Sequence, residues 1–279
     1  MNKAIQLACP LDDLPLHAQA RSFVCASGHS FDLARQGYLN LLPVQQKRSR
    51  SPGDSEAMIA ARQRFLGAGF YDRIAERVQA AVSGYMQMNN TCLLDAGCGE
   101  GFYLDYVSRS LAEIDIHPGL VGLDISKPAI VAAARRNKDI TWLVASNKQP
   151  PLLPQSVDVI VCMFGFPVFD AFAKILKPGG KLLLVEAGPQ HLLELRRIIY
   201  AQVKQGGLPD LGKAVEQGFE LLAQDELCYP TPTLDQAQIA DLLLMTPHLF
   251  RAGKEGKQRA AELEQIVLTV DVALRVLQA

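Results

Sequence analysis

Apolar runs and helical stripes alternate along most of this chain, and the alternation predicts its architecture. Thr91–Leu94, Leu120–Asp124, Ile140–Ala145, Val157–Cys162 and Lys181–Glu186 are short runs rich in apolar and β-branched residues. Runs of that length without polar alternation are expected of strands buried on both faces. Between them, Tyr103, Leu104, Tyr106, Val107 and Leu111 recur at helical spacing, and a second helix opens at Lys127-Pro128 and runs through Ala134. A third, Phe169–Leu176, is stopped by Lys177-Pro178-Gly179-Gly180, since glycine and proline end helices. Strand and helix in alternation predict a parallel α/β sheet with right-handed crossovers. Further on, Gln190–Val203 is expected to be an amphipathic helix with Leu192, Leu195, Ile198, Ile199 and Val203 on one face, ended by Gly206-Gly207-Leu208-Pro209. Phe219–Cys228, Leu234–Met245 and Gln265–Val272 then read as strand, helix and strand, which brings the sheet to seven strands. Upstream, Met58, Ile59, Ala61, Phe65 and Leu66 mark one lead-in helix, capped by Asp54 or Ser55; Ile74, Val78, Ala81 and Val82 mark another.

The chemistry of this pattern concentrates where the first strand ends. Asp95-Ala96-Gly97-Cys98-Gly99-Glu100-Gly101 places glycines at alternate positions before a helix that begins near Phe102. Glycine tolerates positive φ and lacks the Cβ that would block a ligand, and the helix start turns backbone N–H groups toward it. The spacing is G-x-G-x-G, whereas a dinucleotide fingerprint needs G-x-G-x-x-G. Asp124, at the end of the next strand and 23 residues beyond Gly101, offers a carboxylate for the two hydroxyls of a ribose. A nucleoside-type cofactor is therefore expected at Asp95, Gly97, Gly99, Gly101 and Asp124. Ligands of such sheets lie at the carboxyl ends of the strands. That rim gathers the glycine turn, Asp124, Ser146 and Asn147, the Phe164–Phe169 loop and Glu186–His191.

Composition narrows the classes. Of 279 residues, 49% are hydrophobic, enough for a large core without disulfides. The net charge of −1 announces no general nucleic-acid affinity, so any basic surface must be local. The six cysteines are scattered, with Cys92 and Cys162 inside predicted core strands, which suits a reducing cytoplasm. No 18-residue apolar run and no signal-peptide pattern occurs, so no membrane association is expected.

Residues 1–42 differ from the rest. Cys9 and Asp12, then Cys25 and His29, form two short knuckles about 16 residues apart, similar to a small zinc module with one thiolate replaced by a carboxylate. Asp is a legitimate ligand, although structural sites prefer sulfur and nitrogen. The alternative is a metal-free remnant held by Phe23, Phe31, Leu33, Tyr38, Leu39, Leu41 and Leu42. Residues 43–90 follow as a basic linker and lead-in helices. Residues 43–64 carry five Lys/Arg against two Asp/Glu, with Lys47, Arg48 and Arg50 clustered between prolines. Such a segment beside a zinc module suits phosphate contacts; alone it would be an ordinary solvated linker. Residues 91–279 form the cofactor domain, with inserted helices at about 188–215.

These residues resemble the bacterial 23S rRNA guanine-N1 methyltransferases of the RlmA type. The likeness spans nearly the whole chain: Cys9…Cys25…His29, Phe31-Asp32, Gly37–Val44, Lys47–Arg50 with Pro52–Ser55, Leu94–Gly101, Gly188–Leu192 and Met245-Thr246-Pro247. It implies a Rossmann-like class I methyltransferase domain of seven strands, S-adenosylmethionine as methyl donor, and a homodimer with a cleft for RNA. The family's structural zinc ligands fall on Cys9, Cys25, His29 and, in place of a cysteine, Asp12. Its cofactor contacts fall on Tyr71, Gly99, Glu100 and His191. The expected reaction is direct attack by guanine N1, in a hairpin loop of 23S rRNA, on an already activated methyl group. Phe164 and Phe166 stand where a splayed-out base would stack, with Phe169 close behind. Glu186, His191 and His248 are the rim groups available to take the N1 proton, and none is singled out as a catalytic base. Two related subfamilies differ in which guanine is modified. Rival readings are a small-molecule methyltransferase, which needs neither the zinc module nor Lys47–Arg50, and a non-catalytic RNA-binding protein on the same fold.

Overall fold

The computed structural model describes residues 4–46, 49, 51–86, 88, 90–203, 206–248 and 252–279. Residues 17–40 form four short strands, β1 (His17–Gln19), β2 (Ser22–Val24), β3 (Ser30–Asp32) and β4 (Tyr38–Asn40). Helix α1 (Glu56–Gly67) is capped by Ser55, whose side chain accepts from the Met58 amide, and α2 (Asp72–Ser83) follows after a two-glycine break. The alternating part comprises β5 (Cys92–Ala96), α3 (Phe102–Glu113), β6 (Gly119–Asp124), α4 (Lys127–Arg136), β7 (Thr141–Val144), β8 (Val157–Met163), α5 (Phe169–Ile175) and β9 (Leu176–Ala187). Then come α6 (Leu193–Ile199), α7 (Gly212–Glu216), β10 (Glu220–Pro230), β11 (Leu234–Asp235), α8 (Gln236–Met245), α9 (Lys254–Ala261), β12 (Gln265–Ile266) and β13 (Thr269–Gln278).

The main sheet has the order β10-β13-β9-β8-β5-β6-β7-β4. Strands β5 to β9 are mutually parallel, and β13 lies antiparallel between β9 and β10. These seven strands give the expected Rossmann-like class I arrangement. The eighth strand comes from the N-terminal region: β4 pairs parallel to β7, Tyr38 opposite Trp142 and Asn40 opposite Val144.

Alternate strand residues point to opposite faces, and each face has its own buried cluster. One unites Leu93, Val159, Val161, Leu183 and Val185 with helices α1 to α4 and α8. The other unites Leu94, Leu123, Leu143, Ile160 and Leu184 with Ile5, Leu7, Cys9, Phe23, Cys25, Leu39 and Leu41, and with Phe172 and Ile175 of α5. The crossover from β7 to β8 contains no helix. Its place is taken by the N-terminal strand segment, which exchanges Ala8 N–H to Pro151 O and Leu153 N–H to Gln6 O, each 3.0 Å. The N-terminal region thus shares this face of the sheet with α5.

Four sequence expectations shift. Lys177–Gly180, read as a break before a strand at Lys181, lies inside β9, because Leu176 already pairs with Val157. The helix expected over Gln190–Val203 is confined to α6, because residues 188–191 form a turn and Leu192 takes φ +53°. The helix expected from Leu234 starts at Gln236. Leu234 and Asp235 pair with β12, and Asp235 makes a capping box with Gln238. The last strand runs to Gln278 rather than ending at Val272; its residues 270–277 are all buried because it lies inside the sheet.

Candidate active site and metal centre

Strand β5 delivers the glycine turn to the carboxyl rim. Gly97, Gly99 and Gly101 all take positive φ, at +94°, +55° and +83°. They do different things. A Cβ on Gly97 would meet only the Asn147 amide at 3.8 Å, and one on Gly99 the Arg62 Nη1 at 3.2 Å, so both border the cleft. A Cβ on Gly101 would strike the Trp142 ring at 2.6 Å, which gives that glycine a reason inside the core. Gly97 and Cys98 amides both bond the Leu123 carbonyl, tying the turn to β6.

Asp124 sits where β6 ends. Its carboxylate accepts the Gly99 amide at 3.0 Å and the Ser126 amide at 2.8 Å. Burial raises its pKa. Asp95 is buried beside it, and burial together with the Asp124 charge pushes its carboxyl up to about 7. Glu100 is buried and paired with Arg136, whose Nε lies 3.0 Å from Oε2; burial raises its pKa too. Asp95 Oδ1, Glu100 Oε1 and Asn147 Oδ1 are each buried with no hydrogen-bond partner among the described residues. Native interiors rarely leave such atoms unpaired unless a ligand supplies the partner. A bare turn ringed by orphaned acceptors fits a donor-rich, cationic nucleoside such as S-adenosylmethionine.

A second group of rim residues is aromatic. Tyr71, the residue before α2, is buried and places its hydroxyl 3.4 Å from His191 Nε2. Phe164 stacks on His191 with ring centroids 5.7 Å apart and lies 6.4 Å from Tyr71. Phe164 holds φ +49° and Leu192, next to His191, holds φ +53°; such strain in bulky residues collects at functional sites. Phe166 is 86% exposed beyond them. The Asp271 amide donates to His191 Nδ1 at 3.3 Å, which fixes the neutral ring with its proton on Nε2. Burial, with help from His248 and Arg196, lowers its pKa to about 4. His191 is therefore a neutral donor facing Tyr71. Glu186 is held by Arg275 through Nε at 2.7 Å and through Nη2, and His248 Nδ1 lies 2.9 Å from the Tyr200 hydroxyl. Lys47, Arg48 and Arg50 lie outside the described residues.

At the other end of the chain, one ligand atom each from Cys9, Asp12, Cys25 and His29 lie within 4.8 Å of one another. His29 Nδ1 is 3.5 Å from Cys9 Sγ, 3.4 Å from Cys25 Sγ and 3.1 Å from Asp12 Oδ2, and Cys25 Sγ is 3.4 Å from that oxygen. A tetrahedral zinc shell with ordinary bond lengths has sulfur–nitrogen and sulfur–oxygen edges of about 3.6 Å and a nitrogen–oxygen edge of about 3.4 Å. The donor set fits that ion, and the carboxylate stands where a fourth thiolate would.

Comparisons with known proteins agree at both ends. Residues 7–50 match the family model described as RlmA, N-terminal, and residues 93–180 match a methyltransferase domain. The 23S rRNA (guanine(748)-N(1))-methyltransferase of Streptomyces fradiae is 32% identical, covering 93% of this chain and 91% of its own. YxjB of Bacillus subtilis, provisionally assigned as a 23S rRNA (guanine-N(1)-)-methyltransferase, is 32% identical over 95% of this chain and 94% of its own. The chain belongs to this methyltransferase family. Its fold also matches a chain of the Haloferax volcanii complex between the Trm112 methyltransferase activator and a methyltransferase. The TM-score there is 0.53 at 21% identity, over 82% of this chain and 99% of the other.

Membership makes this an S-adenosylmethionine-dependent methyltransferase with a zinc-ribbon-type N-terminal module. No helix among the described residues is long and apolar enough to cross a membrane. Within the family frame, Asn147, expected on the rim, is joined at the turn by Arg62, which the motifs did not signal. Asn147 reaches the turn from the loop after β7, and Arg62 reaches it from α1. A lone arginine on an amphipathic helix carries no local mark of such a position.

Proposed function

We propose that this protein methylates N1 of a guanine in a hairpin loop of 23S rRNA, acting in the cytoplasm as a homodimer. The observation that carries the reading is the glycine turn with the unpaired oxygens of Asp95, Glu100 and Asn147, in a chain of this family. In it, Gly97 and Gly99 let the cofactor approach bare backbone, and Asp124 receives ribose hydroxyls. Asp95, once ionised, faces positive charge. Bound S-adenosylmethionine supplies a methyl group on a sulfonium, already activated for transfer. The protein's part is placement and exclusion of water. Phe164 and Phe166 offer faces on which an unpaired base stacks; Tyr71 and His191 pack beside Phe164. Glu186, His191 and His248 are each engaged within the protein, so none of them is assigned as the acceptor of the guanine N1 proton. Lys47, Arg48 and Arg50 contact RNA phosphates in this reading. The four donors Cys9, Asp12, Cys25 and His29 hold zinc and shape the module that presents the substrate. Six free cysteines, five of them buried, support a reducing compartment.

The test is a reverse-transcription map of 23S rRNA from cells with and without the gene. An N1 methyl group blocks pairing, so the reading expects one stop that depends on the gene. If the purified protein binds S-adenosylmethionine but methylates small amines or phenols and leaves the rRNA unstopped, the substrate assignment falls. If it does not bind the cofactor, the enzyme assignment falls.

A further inference from the structure

Arg62 projects from α1 onto the glycine turn. Its Nη1 would stand 3.2 Å from a Cβ at Gly99, so the guanidinium lies directly against the cleft side of the turn. It is held there from two sides: Nη1 pairs with Asp54 Oδ2 at 2.6 Å, and Nη2 donates to the Met245 carbonyl at 3.1 Å. Asp54 is itself fastened, because Ser126 Oγ donates to its carbonyl at 2.7 Å and Gly53 lies so close that a Cβ there would touch Ser126 at 2.7 Å. The arginine is thus clamped between the segment before α1, the end of α8 and the loop after β6. Two acceptors engage two of the five N–H donors that a guanidinium carries. Its side chain is 23% exposed, so the guanidinium beside Gly99 is not sealed from solvent.

Charge gives this placement a purpose. The turn is ringed by Asp95, Glu100 and Asp124, all buried or nearly so. Such a ring favours the ammonium and sulfonium of S-adenosylmethionine and disfavours its carboxylate. Arg136 is committed to Glu100. The Arg62 charge reaches into the same ring, easing the charging of both Glu100 and Asp124. A carboxylate in that ring needs a cation, and a guanidinium binds it through paired charge-assisted bonds.

We propose that Arg62 binds the α-carboxylate of the cofactor's methionyl end, with Asp54 and the Met245 carbonyl orienting the guanidinium. The inference rests on S-adenosylmethionine occupying the turn, and the test separates the two. Calorimetry is run on the full-length zinc-loaded protein with S-adenosylhomocysteine, which keeps the amino-acid end, and with 5′-methylthioadenosine, which keeps the nucleoside but has no carboxylate. Binding of S-adenosylhomocysteine by the unmodified protein checks the underlying reading. Arg62→Met then weakens S-adenosylhomocysteine by about tenfold or more, leaves methylthioadenosine within about twofold, and Arg62→Lys recovers part of the loss. Equal weakening of both ligands, or no weakening of either, overturns the proposal. If Arg62→Met does not fold, Arg62→Lys carries the same comparison. Its shorter, single-point charge weakens only the carboxylate-bearing ligand if the assignment holds, and both or neither if it does not.

Discussion

The two candidate ligand sites of this protein are built on opposite plans. At the candidate metal centre the four donor atoms all lie within 4.8 Å of one another, with His29 Nδ1 at 3.1–3.5 Å from the other three. At the glycine turn the acceptors stand apart, and Asp95, Glu100 and Asn147 each keep a buried oxygen with no partner among the described residues. The first site is closed by two short turns, where the Gly28 amide returns to the Cys25 carbonyl and Asp13 N–H to the Cys9 carbonyl. The second is closed by topology, from residues on β5, β6, α1 and the loop after β7. The contrast teaches why a Cys-to-Asp departure is tolerable in one place and would not be in the other. A carboxylate oxygen reaches the same point as a sulfur in a tight knuckle. No side chain at Gly97 reproduces an empty approach.

The largest effect expected from breaking this comparison is at the metal. The knuckles are continuous with Leu7, Cys9 and Cys25 in the core beneath the sheet, and β4 is a strand of that sheet. Removal of zinc by a chelator, or Cys25→Ser, should lower the melting temperature of the whole protein by about 10 °C, since metal binding in such modules is folding free energy. Calorimetry with metal analysis checks it; a ribbon that melts separately from the sheet would refute the coupling.

Next is Gly97→Val. A Cβ with branches at φ +94° should cost about 1–3 kcal/mol of stability. It should also abolish binding of S-adenosylhomocysteine by about a hundredfold or more, because the backbone is no longer accessible. Zinc content should stay at one per chain. Loss of zinc together with cofactor binding would mean that the two sites are not separable.

The third prediction uses pH. Asp95 in the free protein titrates near 7, raised by burial and by the Asp124 charge. A raised carboxyl contributes stability that is complete below about pH 4 and is lost as the pH rises through 7. Cofactor binding has the opposite sign, because its positive charge favours the ionised acid. Affinity should therefore rise about tenfold between pH 6 and pH 8 as binding releases the proton, and Asp95→Asn should flatten the profile. A flat profile in the unmodified protein would remove Asp95 from the site.

The smallest effect sharpens the metal end. Asp12→Cys restores a thiolate to the shell and should tighten zinc by about an order of magnitude in a chelator competition, with cofactor affinity unchanged. Weaker zinc in this variant would place Asp12 outside the coordination shell.

Much of both sites could be read directly. Cys9, Asp12, Cys25 and His29 announce themselves because knuckle geometry is local in sequence, and the G-x-G-x-G turn follows from a buried strand meeting a helix start. Phe164 and His191 were legible as rim residues, but their stacking was not, since it depends on a turn at 188–191 and on two strained residues. Arg62 could not be read, because its partners Asp54, Gly99 and Met245 come from three separate segments.

The sequence by itself determined the element types, the ligand-bearing turns and the α/β class, because each follows from periodicity and from glycine or cysteine chemistry within a few residues. Only the tertiary structure decided that the N-terminal module shares a face of the sheet with α5 and adds an eighth strand. It likewise decided that the Trp142 ring leaves no room for a side chain at Gly101, and that His191 is a neutral donor. Each of those depends on which distant surfaces meet, and burial and hydrogen bonding across the sheet set that choice where no local pattern records it.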